Sequence, residues 1–376
     1  MRSYFYLGML VAGGICLLGL AACTDIGYYA QCARGHLDIM GRCRPIAEIL
    51  DDREASPELK SRLSQVLEIR DFASAELLLP ENGSYRSYAD LGRPYVVWNV
   101  VAAPEFSLSP MQWCFPIAGC VSYRGYFSHE EAGTAARQLE AEGLDVYLYG
   151  VTAYSTLNWF DDPVLNTFCQ GPETSVAGLI FHELAHQKLY VKGDSSFNEA
   201  FAKAVELEGV RRWLDSRGES EEMERYRAKL DREEEFVSLV MQSRETLDAL
   251  YQGDLDLTAK RAAKQRIIAS LRDDYREMKD RWGGYAGYDR WFGEQLNNAK
   301  LASMSTYRLL VPAFQELLIR EGGMNDFFRA AERIGRQPPG QRAAEMARLL
   351  DSAEMQHDTT SAPSRQVRGE DKTVSR

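Results

Sequence analysis

The chain has 376 residues, 45% hydrophobic and 26% charged, and a formal net charge of −11. This composition suits a globular protein with a substantial core and excludes a wholly disordered one. The acidity argues against nucleic acid as a partner, because phosphate binding demands concentrated Lys and Arg.

The chain opens MRSYFYLGMLVAGGICLLGLAACTD. Arg2 precedes an apolar run from Leu7 to Leu20 that is short of the roughly 20 residues a membrane span needs. Residues 1–22 therefore read as a secretory signal peptide. Leu20, Ala21, Ala22 and Cys23 resemble the lipobox of bacterial lipoproteins. That resemblance implies cleavage before Cys23, lipidation of its thiol, and a membrane-anchored protein of the bacterial envelope that faces the periplasm. Thr24, where Asp would signal inner-membrane retention, favours the outer membrane.

A periplasmic setting permits disulfides. Past Cys23 stand Cys32, Cys43, Cys114, Cys120 and Cys169, an odd number that leaves at least one thiol unpaired. Cys114 and Cys120 bound WCFPIAGC, where Pro and Gly permit a tight loop and a bridge. Cys32 and Cys43, read on one helix, stand about 16 Å apart, too far to bridge.

Residues 23–79 form an N-terminal helical segment with apolar residues at helical spacing, able to carry the body away from its anchor. Residues 80–170 are rich in aromatic and β-branched side chains and read as several strands. HEEAGTAARQLEAEG interrupts them as a helix capped by Ser128. Residues 173–215 are helical and complete the 80–215 stretch. Residues 216–353 begin with a long, charged, antiparallel helical pair that turns at Gly253 and Asp254, and continue with further helices. Residues 354–376 are polar and read as a disordered tail. The fold class expected is α+β, predominantly α-helical.

Chemistry concentrates in HELAHQKLYVKGDSSFNEAFA. His182 and His186 lie four residues apart, so a helix sets both imidazoles on one face, one turn apart. They can share one ion at about 2.0 Å each. Glu183, one step around the helix, can reach a water at that ion and act as general base. Val176, Leu179, Ile180, Phe181, Leu184 and Ala185 make this helix apolar nearly all round, so it is buried and its polar residues need partners. Gly193 can end it, and Asp194, Ser195 or Ser196 can cap the next. That next helix turns back and brings Glu199 to face the histidines as third ligand. Glu206 is the alternative ligand, or a partner behind the histidines.

HELAHQ followed by FNEAFA resembles the gluzincin signature, whose second-motif glutamate is the third zinc ligand. This implies one Zn²⁺ held by His182, His186 and Glu199 in a zincin-like core. The spacer between the motifs is shorter here, and Lys203 stands where thermolysin-like enzymes carry a supporting Asp. A wider set of phrases resembles the bacterial lipoproteins called putative aminopeptidases: SYADLGRPYVVWNVVAAPEFSL, WCFPIAGCVSYRGYF, AYSTLNWFDDPVLNTF and NNAKLASMSTYRLLVPAF. It implies a periplasmic zinc peptidase acting on peptides.

The reaction expected is amide hydrolysis, with Glu183 moving the proton of a zinc-bound water to the leaving amine. A donor for the oxyanion is sought at Tyr123 or Tyr126, with Tyr307 as a further choice. Arg124 is a candidate for a substrate carboxylate or a buried salt bridge. Glu105, Asp161 and Asp162 are candidates to hold a substrate amine, although turn or capping roles account for them more simply. Rival readings are a zinc endopeptidase of envelope proteins and a non-enzymatic envelope lipoprotein with a structural metal.

Overall fold

A computed structural model describes residues 27–115, 119–156, 159–304 and 310–361. The signal segment, Cys23, Tyr307 and residues 362–376 lie outside these described residues. The fold is α+β and predominantly helical.

Helix α1 spans 27–42 and is followed by β1 (Arg44–Pro45), α2 (Ile46–Asp51) and α3 (Pro57–Ala75). Ser56 caps α3, its hydroxyl accepting from the Leu59 amide, and Pro57 fits the first turn, where no amide partner exists. α3 is not a stalk. Leu63, Val66, Ile69 and Ala73 are fully buried in the main core, because its apolar face finds the later helices.

Strands β2 (Ser87–Ala89), β3 (Val97–Ala103), β4 (Trp113–Phe115), β5 (Gly119–Val121) and β6 (Arg124–Tyr126) follow, then α4 (His129–Ala141), β7 (Asp145–Val151) and β8 (Val164–Leu165). β3 is the centre of an antiparallel sheet ordered β6-β3-β7. Its odd and even positions are both apolar because both faces are covered. Val100 packs with Ala132 and Ala136 of α4. Val101 and Ala103 pack with Ala299, which belongs to a helix described below. Ser128 caps α4 by accepting from the Glu131 amide. β4 and β5 form a hairpin in which Cys114 and Cys120 sit opposite each other and are bridged. Cys32, Cys43 and Cys169 are free thiols.

After α5 (Asn166–Cys169) come α6 (Glu173–Lys188) and α7 (Ser195–Arg217). α6 ends at Lys188, earlier than Gly193. Gly193, with φ +82°, instead shapes the turn between the helices. Asp194 caps α7, accepting from the Phe197 amide. The two helices approach closely because Gly209 lacks a side chain. A Cβ there would stand 2.6 Å from the Phe181 ring and 2.8 Å from Leu77. Phe197 and Phe201 of α7 pack on Phe314 and Phe327, all fully buried, and each such side chain favours folding by about 1.5–3 kcal/mol.

The long pair is α8 (Ser220–Gln252) and α9 (Leu257–Arg281). Phe236, Val240 and Leu247 of α8 meet Leu271 and Tyr275 of α9. The chain closes with α10 (Asp289–Gly293), α11 (Asn298–Ser303), which carries Ala299, α12 (Val311–Glu321), α13 (Met324–Gly335) and α14 (Pro339–Ser361). α14 continues past Ala353, where the polar tail was expected to begin. Residues 354–361 contain no Pro or Gly, and Pro363 is the first breaker beyond them. No helix among the described residues is long and apolar enough to cross a membrane.

Candidate metal centre

α6 and α7 pack side by side and bring three side chains to one point. Ligand atoms of His182, His186 and Glu199 all lie within 4.8 Å of one another. Nε2 of His182 is 3.4 Å from Glu199 Oε2, and Nε2 of His186 is 3.6 Å from Oε1. Donors bound to one ion at about 2.0–2.2 Å in a tetrahedral arrangement stand about 3.3–3.6 Å apart, and both nitrogen–oxygen distances match that spacing. Two imidazoles and a carboxylate are also a donor set that suits zinc.

The ring of His182 is fixed from behind. Its Nδ1 is 3.1 Å from Glu206 Oε2, and Lys203 Nζ donates to the other oxygen of Glu206 at 2.6 Å. Glu206 is therefore a partner of the histidine and stands outside the triad. Lys203, at the position of the missing Asp, steadies the carboxylate that supports the ring. Burial works against a charge on His182, but hydrogen bonds to Glu199 and Glu206 outweigh it, and the pKa is pushed up to about 10. Burial likewise opposes the charge of Glu206, yet His182 and Lys203 hold its pKa at about 2. His186 is 7% exposed, and its Nδ1 has no hydrogen-bond partner among the described residues. Burial, then the charge on His182, push its pKa down to about 4. In the metal-free chain these causes favour the charged form of His182 and the neutral form of His186.

Glu183 sits on the adjacent stripe of α6. Burial raises its pKa, while the charge on His182 and a hydrogen bond from the Ser155 side chain pull the other way. A cleft of about 320 Å³ opens beside His182 and Glu183, walled by Lys203, Tyr226 and Lys229. Its lining includes one triad residue, His182, and that residue's partner Glu206. A wider groove, about 800 Å³, runs between α8 and α9 and holds none of these residues.

The tyrosines named from sequence are elsewhere. Tyr126 is buried under the small sheet against Val100, Ala132 and Tyr28, because its position in β6 faces α4. Tyr123 is 44% exposed in the turn between β5 and β6. Neither belongs to the group at His182, His186 and Glu199. Arg124 lies over the Tyr28 ring, 4.0 Å from its centre. Glu105 pairs with Arg261 at 2.5 and 2.7 Å and ties its loop to α9. Asp161 packs against Gly83.

Other residues near Glu183 carried no sequence signal. Tyr85 has φ +63°, a conformation costly for an aromatic residue, and is almost fully buried. Burial, then the charges of Glu183 and Asp162, keep its phenol protonated. The fully buried Arg70 holds this loop by donating to the carbonyls of Ser84, Pro80 and Asn82. Within ENGSYR the positive φ falls on Tyr85 and not on Gly83.

A family model described as "Putative aminopeptidase" matches residues 27–346. No curated protein matches the chain, and no solved structure does.

Proposed function

Because the chain belongs to the putative aminopeptidase family, we propose that it is a zinc-dependent peptidase of zincin-like construction that hydrolyses peptides, and that it acts on their amino-terminal bonds. The observation that carries this reading is the meeting of His182, His186 and Glu199 beside the carboxylate of Glu183. A structural metal site has no use for a buried base next to its ligands.

His182, His186 and Glu199 would hold the ion through two nitrogens and a carboxylate oxygen. Such an ion supplies a Lewis acid for the scissile carbonyl and lowers the pKa of a water. Glu206 orients His182 and keeps Nε2 directed at Glu199. Glu183 takes the proton of the attacking water and delivers it to the leaving amine. Its raised pKa suits both halves of that transfer.

The same reading has the protein lipidated at Cys23 and facing the periplasm, with the outer membrane as its anchor. A panel of free-amine and N-acetylated peptides tests the activity. The expected outcome is cleavage at the first bond of the free-amine forms alone, abolished by Glu183→Gln. Equal cleavage of both forms at internal bonds would contradict amino-terminal action.

A further inference from the structure

α1 is held to the body along one side. Gln31 donates to the Gly125 carbonyl at 3.1 Å and accepts from the Phe127 amide at 3.1 Å. Ile39 is buried, and Gly35 lies too close to the Phe127 ring to admit a Cβ. The opposite side faces outward. At about 100° per residue, Tyr29, Ala33 and Leu37 fall within an arc of about 80°, with Ala30 just beyond it. All four are exposed, Tyr29 by 45% and Leu37 by 68%. Arg34, Asp38 and Arg42, also exposed, continue the surface past the far edge of that arc.

The near edge is aromatic. His36 stands about 20° around the helix from Tyr29, and the Phe160 ring lies 4.5 Å from the His36 ring. Phe160 is 50% exposed. Trp159, next to it in the chain, is 73% exposed, more than any other large apolar side chain among the described residues. At the start of the helix Phe115 stacks on Tyr28 at 5.4 Å and meets Tyr29 edge-on at 6.2 Å. Single exposed apolar residues need no explanation. A run of them along one helix face and the loop beside it marks a surface that something covers.

We propose that this face rests on a phospholipid bilayer, with Tyr29, Leu37, Phe160 and Trp159 at the level of the headgroups. The inference goes beyond the peptidase chemistry and rests on the lipidation of Cys23 read above. Two observations select a bilayer over a protein partner. Cys23 precedes Gly27 by four residues, so at most about 14 Å of chain separates the anchor from α1. α1 is packed on the body and α3 is buried in its core, so neither acts as a spacer, and a body tethered so closely meets the headgroups around its first helix. The composition also fits. Trp, Tyr and Phe settle at the membrane–water boundary, and Arg34 and Arg42 at the margin suit lipid phosphates. α1, about 24 Å long, lies along the surface and does not cross it.

The test takes the full chain as bacteria make it, purified in detergent and reconstituted into vesicles of phosphatidylethanolamine and phosphatidylglycerol. Some vesicles carry phospholipid brominated near the headgroup end of its acyl chains, which quenches only the tryptophans it can reach. Wild-type emission should be quenched, and the quenching should fall about two-fold or more in Trp159→Phe, which keeps an aromatic ring in the loop. Leu37→Glu, at an exposed position, should lower the quenching with an unchanged thermal midpoint. Wild type without quenching, or quenching unaltered by either substitution, overturns the proposal. So does a doubled mass in detergent with Trp159 shielded from aqueous iodide, which gives the face to a second copy of the chain. Palmitate labelling of the same preparation separates this claim from the anchor. Label without Trp159-dependent quenching defeats the docking alone. Trp159-dependent quenching of an unlabelled protein defeats the lipid on Cys23 and leaves the bilayer contact established.

Discussion

Nδ1 of His182 lies 3.1 Å from a carboxylate oxygen of Glu206, two turns along α7 from Glu199, which faces the other nitrogen of the same ring. The imidazole is thereby clamped between two glutamates of one helix. A ring held at its far nitrogen presents the near one in a fixed direction and with greater basicity. Glu206→Ala should weaken zinc binding by about 10- to 100-fold, and Glu206→Gln by less, since an amide oxygen still accepts the N–H. Competition against a chelator of known affinity measures both.

The raised pKa of His182, about 10 against an ordinary 6.5, means that the metal-free site stores a proton at neutral pH. A ligand imidazole must be neutral, so zinc binding expels that proton. His186, at about 4, is already neutral, and Glu199, whose pKa is lowered against the pull of burial, is already ionised. Binding at pH 8 should therefore release close to one proton from the ligands, read by calorimetry in buffers of different ionisation enthalpy. In the metal-free chain the His182 charge contributes fully below about pH 6.5, and its contribution is lost as pH rises through about 10.

Gly209 sets the distance between α6 and α7. Gly209→Ala places a methyl within 2.6 Å of the Phe181 ring and 2.8 Å of Leu77. Overpacking of this kind costs about 1–3 kcal/mol. Thermal unfolding should show a lower midpoint, and the zinc affinity should fall with it because the two ligand-bearing helices are pushed apart.

The anchor is testable apart from the site. Radiolabelled palmitate supplied to expressing bacteria should label the wild-type protein and not Cys23→Ser. Equal labelling of the two would remove the lipoprotein assignment.

The grouping of His182, His186 and Glu199 was legible because its signals are local. His182, Glu183 and His186 share one helical turn, and Glu199 follows a short connection whose capping Asp194 is visible in the sequence. α4 with its Ser128 cap and the α8–α9 pair were legible for the same reason. Residues that meet only through tertiary structure were not. Asp162, which accepts from Ser155 and Thr156, reads in sequence as ordinary loop chemistry, and its bond to the Ser84 hydroxyl depends on how two loops meet. The role of α3 was misjudged because a helix with apolar residues on a polar background has the same pattern in a stalk as in a core. Tyr126 drew attention by its composition and motif company, yet strand alternation turns it toward α4. Helical spacing alone did not tell Glu206 from a ligand, since it differs from Glu199 by two turns on one face; the Asn-Glu context of Glu199 was the signal that did.

The most direct test of the central claim is zinc stoichiometry in purified Glu199→Ala beside wild type, His182→Ala and Glu183→Gln. The account predicts one zinc per chain in wild type and in Glu183→Gln, and its loss in His182→Ala and Glu199→Ala. Full zinc occupancy in Glu199→Ala would contradict it.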